Sequence, residues 1–140
     1  VVTPGGGTSG ISTSAPGSSN TILITLSGFT AGTGTTIGAT TADIITISPT
    51  DLKSFSIQAL IAGYDTANNQ MIGGELLGTG RKSGTVSIIG TPDKTLEADA
   101  ALSGGTYDLV ASGANFVVRV TGVAGRTIDW SGRLNYVTSP

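Results

Sequence analysis

Apolar positions recur at every second residue over most of this chain, and only rarely at every third or fourth. Ser54 to Ala62 sets Phe55, Ile57, Ala59 and Ile61 on one side and Gln58, Leu60 and Ala62 on the other. That is the signature of a strand, whose successive side chains face opposite sides of a sheet. The same alternation predicts strands over Thr21 to Gly28, Asp43 to Ser48, Gln70 to Leu77, Arg81 to Ile89 and Thr106 to Ala111. The clearest element is the last: Ala114 to Gly122 and Arg126 to Val137, joined through Val123, Ala124 and Gly125, read as one β-hairpin. Its first arm sets Phe116, Val118 and Val120 against Val117, Arg119 and Thr121. Its second places Ile128, Trp130, Leu134 and Tyr136 inward, with Asp129, Ser131, Arg133 and Asn135 outward. Glycine inside a strand often marks a bulge, so Ser131-Gly132 is the weak point of that register.

Between these strands lie turn signals. Residues 29 to 43 are a Gly/Thr-rich loop with room for a short edge strand, Pro49 closes the strand before it, and Thr50 to Lys53 is a turn. Tyr64 to Asn69 supplies Asp and Asn at turn positions. Gly78-Thr79-Gly80 and Gly90-Thr91-Pro92-Asp93 punctuate the chain further, and Thr95 to Leu102 has room for one helical turn. About eight strands in successive hairpins predict an all-β fold, an antiparallel two-sheet β-sandwich, with jelly-roll connections as one way to join them.

Composition agrees. A chain of 140 residues suits one domain, and 22 glycines, 22 threonines and 15 serines favour strands and turns over helix. Residues 1–20 are read as a flexible Gly/Ser/Thr-rich tether, with 3–20 lacking regular structure, and residues 21–140 as the sandwich domain. The first residue is Val1, which fits a processed chain or a piece of a longer one.

Only 11% of residues are charged and the formal charge is −2, so there is no basic footprint for nucleic acid. No apolar run approaches the roughly 20 residues of a membrane-spanning helix, so no membrane insertion is expected. The chain has no cysteine and no histidine. This excludes disulfides, thiolate metal sites, the Ser-His pair and the usual general base. No phosphate loop, dinucleotide fingerprint or nucleophile elbow appears, so neither enzyme activity nor a cofactor is expected.

The acids are seven aspartates and two glutamates. Glu75 shares a predicted face with Met71, Gly73 and Leu77, and on an apolar face it would be a candidate acid; a solvated face, with Ile72 and Leu76 inward, is the plainer reading. Asp93, Glu97 and Asp99 lack the ligand spacing of a calcium loop and read as solvated carboxylates. Arg119, Arg126 and Arg133 lie in or beside the terminal hairpin and, with Asp129, predict a cross-strand ladder of charge. Guanidinium forks can also hold a sugar acid or phosphate. Tyr64, Tyr107, Trp130 and Tyr136 are the aromatic platforms, and an exposed row of Tyr64, Tyr107 and Trp130 would favour saccharide binding. The candidate ligand or subunit contacts are therefore Tyr64, Tyr107, Arg119, Arg126 and Arg133.

The runs Gly84 to Asp93, Glu97-Ala98-Asp99, Thr106 to Ala111, and Val118-Arg119-Val120-Thr121-Gly122-Val123-Ala124-Gly125-Arg126-Thr127-Ile128-Asp129-Trp130 resemble a C-terminal β-domain of bacteriophage virion structural proteins, of tail fibres and related appendages. The similarity covers roughly residues 54–137. It implies a virion location, assembly with other virion proteins, trimers, and no catalytic residues to carry over. The expected function is that of a virion structural domain in a tail fibre, appendage or capsid-surface fibre, acting in assembly and in attachment to host surface polysaccharide. A carbohydrate-binding β-sandwich module of a larger enzyme and a capsid decoration protein are the alternatives. Self-association is expected on separate grounds as well: apolar residues on both faces of strands 55–62 and 70–77 exceed what one core can hide.

Overall fold

The computed structural model describes residues 2–4, 11–13 and 29–140. Val2–Pro4 (β1) and Ile11–Thr13 (β2) pair antiparallel, with Val2 opposite Thr13. The tract expected to lack regular structure thus carries a short ribbon at these positions. The rest of residues 3–20, and the whole of the strand expected over Thr21 to Gly28, lie outside the described residues.

Eight strands build the body: Phe29–Ile37 (β3), Thr41–Ile47 (β4), Ser54–Asp65 (β5), Gln70–Ser83 (β6), Thr85–Ala98 (β7), Thr106–Ser112 (β8), Asn115–Thr121 (β9) and Thr127–Thr138 (β10). They form two antiparallel sheets, one in the order β3-β10-β5-β6-β7 and one in the order β4-β9-β8. The all-β sandwich read from the periodicity is the observed architecture. Pairing of β3 with β10 and of β4 with β9 wraps the two ends of the body together as in a jelly roll, while β5, β6 and β7 form a simple meander. A single 3-10 turn, Ala100–Leu102, joins β7 to β8.

The alternation in β5 is complete: Phe55, Ile57, Ala59, Ile61, Gly63 and Asp65 point inward and every other residue outward. β10 behaves likewise, burying Ile128, Trp130, Gly132 and Leu134. No bulge interrupts Ser131-Gly132, and the inward placement of Trp130 holds.

The terminal hairpin is a correction. β9 pairs with β4 and β8, whereas β10 pairs with β3 and β5, so the residues between Thr121 and Thr127 carry the chain from one sheet to the other. Two strands that face one core from opposite sheets have the same alternation as two paired strands, and periodicity cannot separate the cases. Backbone hydrogen bonds fix the crossing: Gly122 N donates to Thr40 O at 2.9 Å and Gly38 N to Arg126 O at 2.7 Å.

Three further expectations change. The Gly/Thr-rich loop over 29–43 is mostly the nine-residue edge strand β3. Its glycines serve close packing, since a Cβ on Gly32 would lie 1.8 Å from the carbonyl oxygen of Ile44. Gly78-Thr79-Gly80 lies inside β6, and Gly90-Thr91-Pro92 inside β7. Leu77 pairs with Asp93 and Thr79 with Ile89, so the second glycine run is a bulge, with Gly90 at φ +72°. The true reversal falls at Gly84, within the strand expected over Arg81 to Ile89.

Trp130 is the largest of the fully buried side chains among the described residues. Register sets it directly between Gly34 on β3 and Gly63 on β5, where a Cβ on Gly63 would stand 2.7 Å from the indole. Its Nε1 donates to the buried Thr36 Oγ1 at 2.9 Å, so the ring's one polar atom is satisfied. Above it, the β4 bulge between Asp43 and Ile45 turns both Ile44 and Ile45 into the core.

Candidate interaction surface

Strand register orders the outer face of the five-stranded sheet into rows running across the strands. One row reads Thr35, Asp129, Tyr64, Met71; the next Thr33, Ser131, Ala62, Gly73, Glu97; the next Ala31, Arg133, Leu60, Glu75, Thr95. Below these come Asn135, Gln58, Leu77, Asp93, and then Val137, Ser56, Thr79, Ile89. Among the described residues, the exposed large apolar side chains are Ile37, Leu52, Leu60, Tyr64, Met71, Leu77, Ile89 and Val137. All but Leu52, which sits in the turn before β5, lie on this one face. Leu60 and Val137 are more than half exposed, at 57% and 56%. The outer face of the three-stranded sheet has none of them and carries Thr41, Asp43, Thr46, Arg119, Thr106 and Asp108 instead.

The row of Ser131, Ala62 and Gly73 has the smallest side chains and floors a shallow trough. Two depressions of about 440 and 250 Å³ open along it, the first lined by Thr33, Thr35, Asp129 and Ser131, the second by Leu60, Ala62, Ser131 and Arg133. Polar groups around the trough engage one another: Thr35 Oγ1 donates to Asp129 Oδ1 at 2.7 Å, and Gln58 Nε2 donates to Glu75 Oε1 at 2.9 Å. Met71 and Leu77 are exposed while Ile72 and Leu76 are buried, so Glu75 stands on the solvent side.

The other candidate residues scatter. Tyr64 is on the apolar face and its hydroxyl donates to Asn69 Oδ1. Tyr107 is wholly buried and its hydroxyl donates to the Thr95 carbonyl; burial first, then the nearby Glu97 charge, pushes the phenol above its ordinary value. With Trp130 also buried, the exposed row of Tyr64, Tyr107 and Trp130 does not exist. The expected charge ladder is also broken up, because Arg119 and Asp129 lie in different sheets. Arg119 instead grips Asp43 in a bidentate fork, Nε to Oδ1 at 2.6 Å and Nη2 to Oδ2 at 3.0 Å. Those hydrogen bonds hold the Asp43 carboxyl below its ordinary value, against partial burial, and raise the guanidinium in return.

Arg126 sits 3.4 Å from Asp65 Oδ2 at the end of β5, where Asp65 is 1% exposed and also accepts from Asn68 Nδ2 at 2.8 Å. Lys94 bridges the sheets at the opposite margin, 3.0 Å from Asp108 and within hydrogen-bond reach of Thr106 Oγ1. Among the described residues no group of three or more His, Cys, Asp or Glu is placed to hold a metal ion. Asp99 Oδ2 accepts from the Met71 backbone N–H at 2.8 Å, which draws it away from any cluster with Asp93 and Glu97.

No family model and no curated protein matches the chain. Among solved structures it is similar to the tailspike protein of Acinetobacter baumannii phage AM24, with a TM-score of 0.46 and 8% identity over 80% of this chain and 27% of that one. It is also similar to the tailspike protein of Acinetobacter phage vB_ApiP_P1, with a TM-score of 0.37 and 16% identity over 80% of this chain and 22% of that one. The chain thus spans about a quarter of those structures, and neither likeness transfers a function. No helix among the described residues is long and apolar enough to cross a membrane.

The apolar outer face is only partly legible in the sequence. Leu60, Met71 and Leu77 stand out as apolar residues on the polar side of an alternating pattern. Ile89 and Val137 do not, because the reversal at Gly84 and the position of β10 next to β5 decide that they join the same surface.

Proposed function

We propose that this chain is a non-catalytic structural domain of a bacteriophage virion, in a tail fibre or related appendage, that assembles as a homotrimer and contributes to host attachment. The observation that carries the assembly part is the one-sided distribution of exposed large apolar side chains among the described residues: seven on the outer face of the large sheet, none on that of the small sheet. Tyr64 stands beside Met71 and Leu60 diagonally beside Leu77, and large apolar side chains gathered on one face in this way mark an interaction surface. The virion part rests on the sequence resemblance over residues 54–137. The non-catalytic part is supported by the absence of histidine and cysteine and by acids engaged in structural hydrogen bonds, such as Asp43, Asp65 and Asp129. Sedimentation of the purified chain at tens of micromolar tests assembly, with a multimer, three copies by mass, as the expected result and a clean monomer as the refuting one. Labelling of the intact particle at this chain tests its location.

One observation favours a second reading, a carbohydrate-binding module. The trough floored by Ser131 and Ala62 presents Thr33, Asp129 and Arg133 beside the exposed ring of Tyr64, a combination suited to sugar hydroxyls. A Tyr64→Ala variant that loses binding to host polysaccharide and keeps its oligomeric state would favour it.

A further inference from the structure

We infer that copies of this chain pack on one another through the outer face of the five-stranded sheet, with their strands aligned to a common axis, β5 nearest that axis, and Arg133 of one copy opposite Glu75 of the next. This rests on the self-assembly reading above and names the surface and the pairing that assembly would use.

The geometry follows from strand order. β5 is the middle strand, with β10 and β3 on one side and β6 and β7 on the other. When copies surround an axis that runs along their strands, equal heights meet, and the β10 side of one copy lies against the β6 side of its neighbour. Each row then meets itself. The row of Arg133, Leu60 and Glu75 sets a guanidinium against a carboxylate and gathers the Leu60 side chains at the axis. The row of Val137, Ser56, Thr79 and Ile89 sets Val137 against Ile89, apolar against apolar.

The small Ser131, Ala62 and Gly73 lie in the row beside Leu60, where they let the sheets approach closely. Gln58 holds the Glu75 carboxylate at 2.9 Å and so orients it on this surface. Five strands about 4.8 Å apart and roughly 35 Å long present about 800 Å² per copy, which copies around an axis divide between two neighbours. The small sheet offers no comparable patch, since among the described residues none of the exposed large apolar side chains lies on its outer face.

The test is sedimentation and light scattering of the chain and five variants, with circular dichroism to confirm folding. Leu60→Asp places like charges at the axis, and an association at least about tenfold weaker is expected. Arg133→Glu and Glu75→Arg should each weaken association, and the double variant should restore it, because the pair is reversed together. Thr46→Asp, on the outer side of β4, should leave the multimer unchanged. A wild-type monomer overturns both this inference and the assembly reading. A wild-type multimer that survives Leu60→Asp, or charge variants that the double exchange does not rescue, overturns the inference and leaves assembly standing. Loss of polysaccharide binding in Leu60→Asp with the multimer intact overturns it in favour of a sugar on this face.

Discussion

Truncation of Trp130 tests the core most directly. The side chain is 2% exposed, fits between glycines on both neighbouring strands, and spends its only polar atom on Thr36. A tryptophan buries about 200 Å² or more, which at about 25 cal/mol per Å² is worth roughly 5 kcal/mol as an upper bound, and measured truncations of buried aromatics cost about 3–5 kcal/mol. Trp130→Ala adds the loss of the hydrogen bond to Thr36, whose hydroxyl is itself fully buried and would be left without this partner, at about 1 kcal/mol more. A loss of about 5 kcal/mol is a large share of the roughly 5–15 kcal/mol typical of a domain, and at about 4 °C per kcal/mol lowers Tm by about 20 °C. Trp130→Phe keeps a six-membered ring but loses the N–H together with the rest of the indole, with an expected cost of about 1–3 kcal/mol, between wild type and alanine. Differential scanning calorimetry and urea titration followed by far-UV circular dichroism read both variants. A Trp130→Ala variant with an unchanged Tm would refute the inward register of β10.

Gly63→Ala should cost about 1–3 kcal/mol, because the new Cβ would stand 2.7 Å from the Trp130 ring; equal stability in urea titration would show that the indole can move aside. Arg126→Met leaves the buried Asp65 without its guanidinium and should destabilise by about 3 kcal/mol, with Asp65→Asn in the same background recovering much of it in thermal melts. Asp43 has its folded-state pKa below the ordinary 3.8, so its contribution is present above that value and is lost as pH falls through the folded one. Arg119→Met should therefore move the Asp43 carboxyl titration, read by NMR, back up and flatten stability against pH below about pH 4; an unmoved titration would show that the fork does not persist in solution.

The sequence by itself determined the class of this fold and the inner face of most strands. Phe55, Ile57, Ala59 and Ile61 alternate without error, and so do Ile128, Trp130 and Leu134, because a strand's two-residue period is a local property of the backbone that the side chains must obey. It also signalled surplus apolar surface through Leu60, Met71 and Leu77. The partner of each strand is not a local property, and there the tertiary structure decided. β9 and β10 follow one another through a turn that looks like a hairpin, yet each is hydrogen-bonded to strands far away in the chain. Glycine is the second case. Gly32, Gly34 and Gly63 read as loop or weak-strand residues until Ile44, Ile45 and Trp130 are seen to fill the space their missing side chains leave. The same holds for function: Arg119, Arg126 and Arg133 are close in sequence, but the crossing between sheets sends Arg119 to Asp43 on one face, Arg126 to Asp65 at the end of β5, and Arg133 to the apolar face of the other. Which charges meet depends on which strands pair, and strand pairing is settled only when the whole core closes.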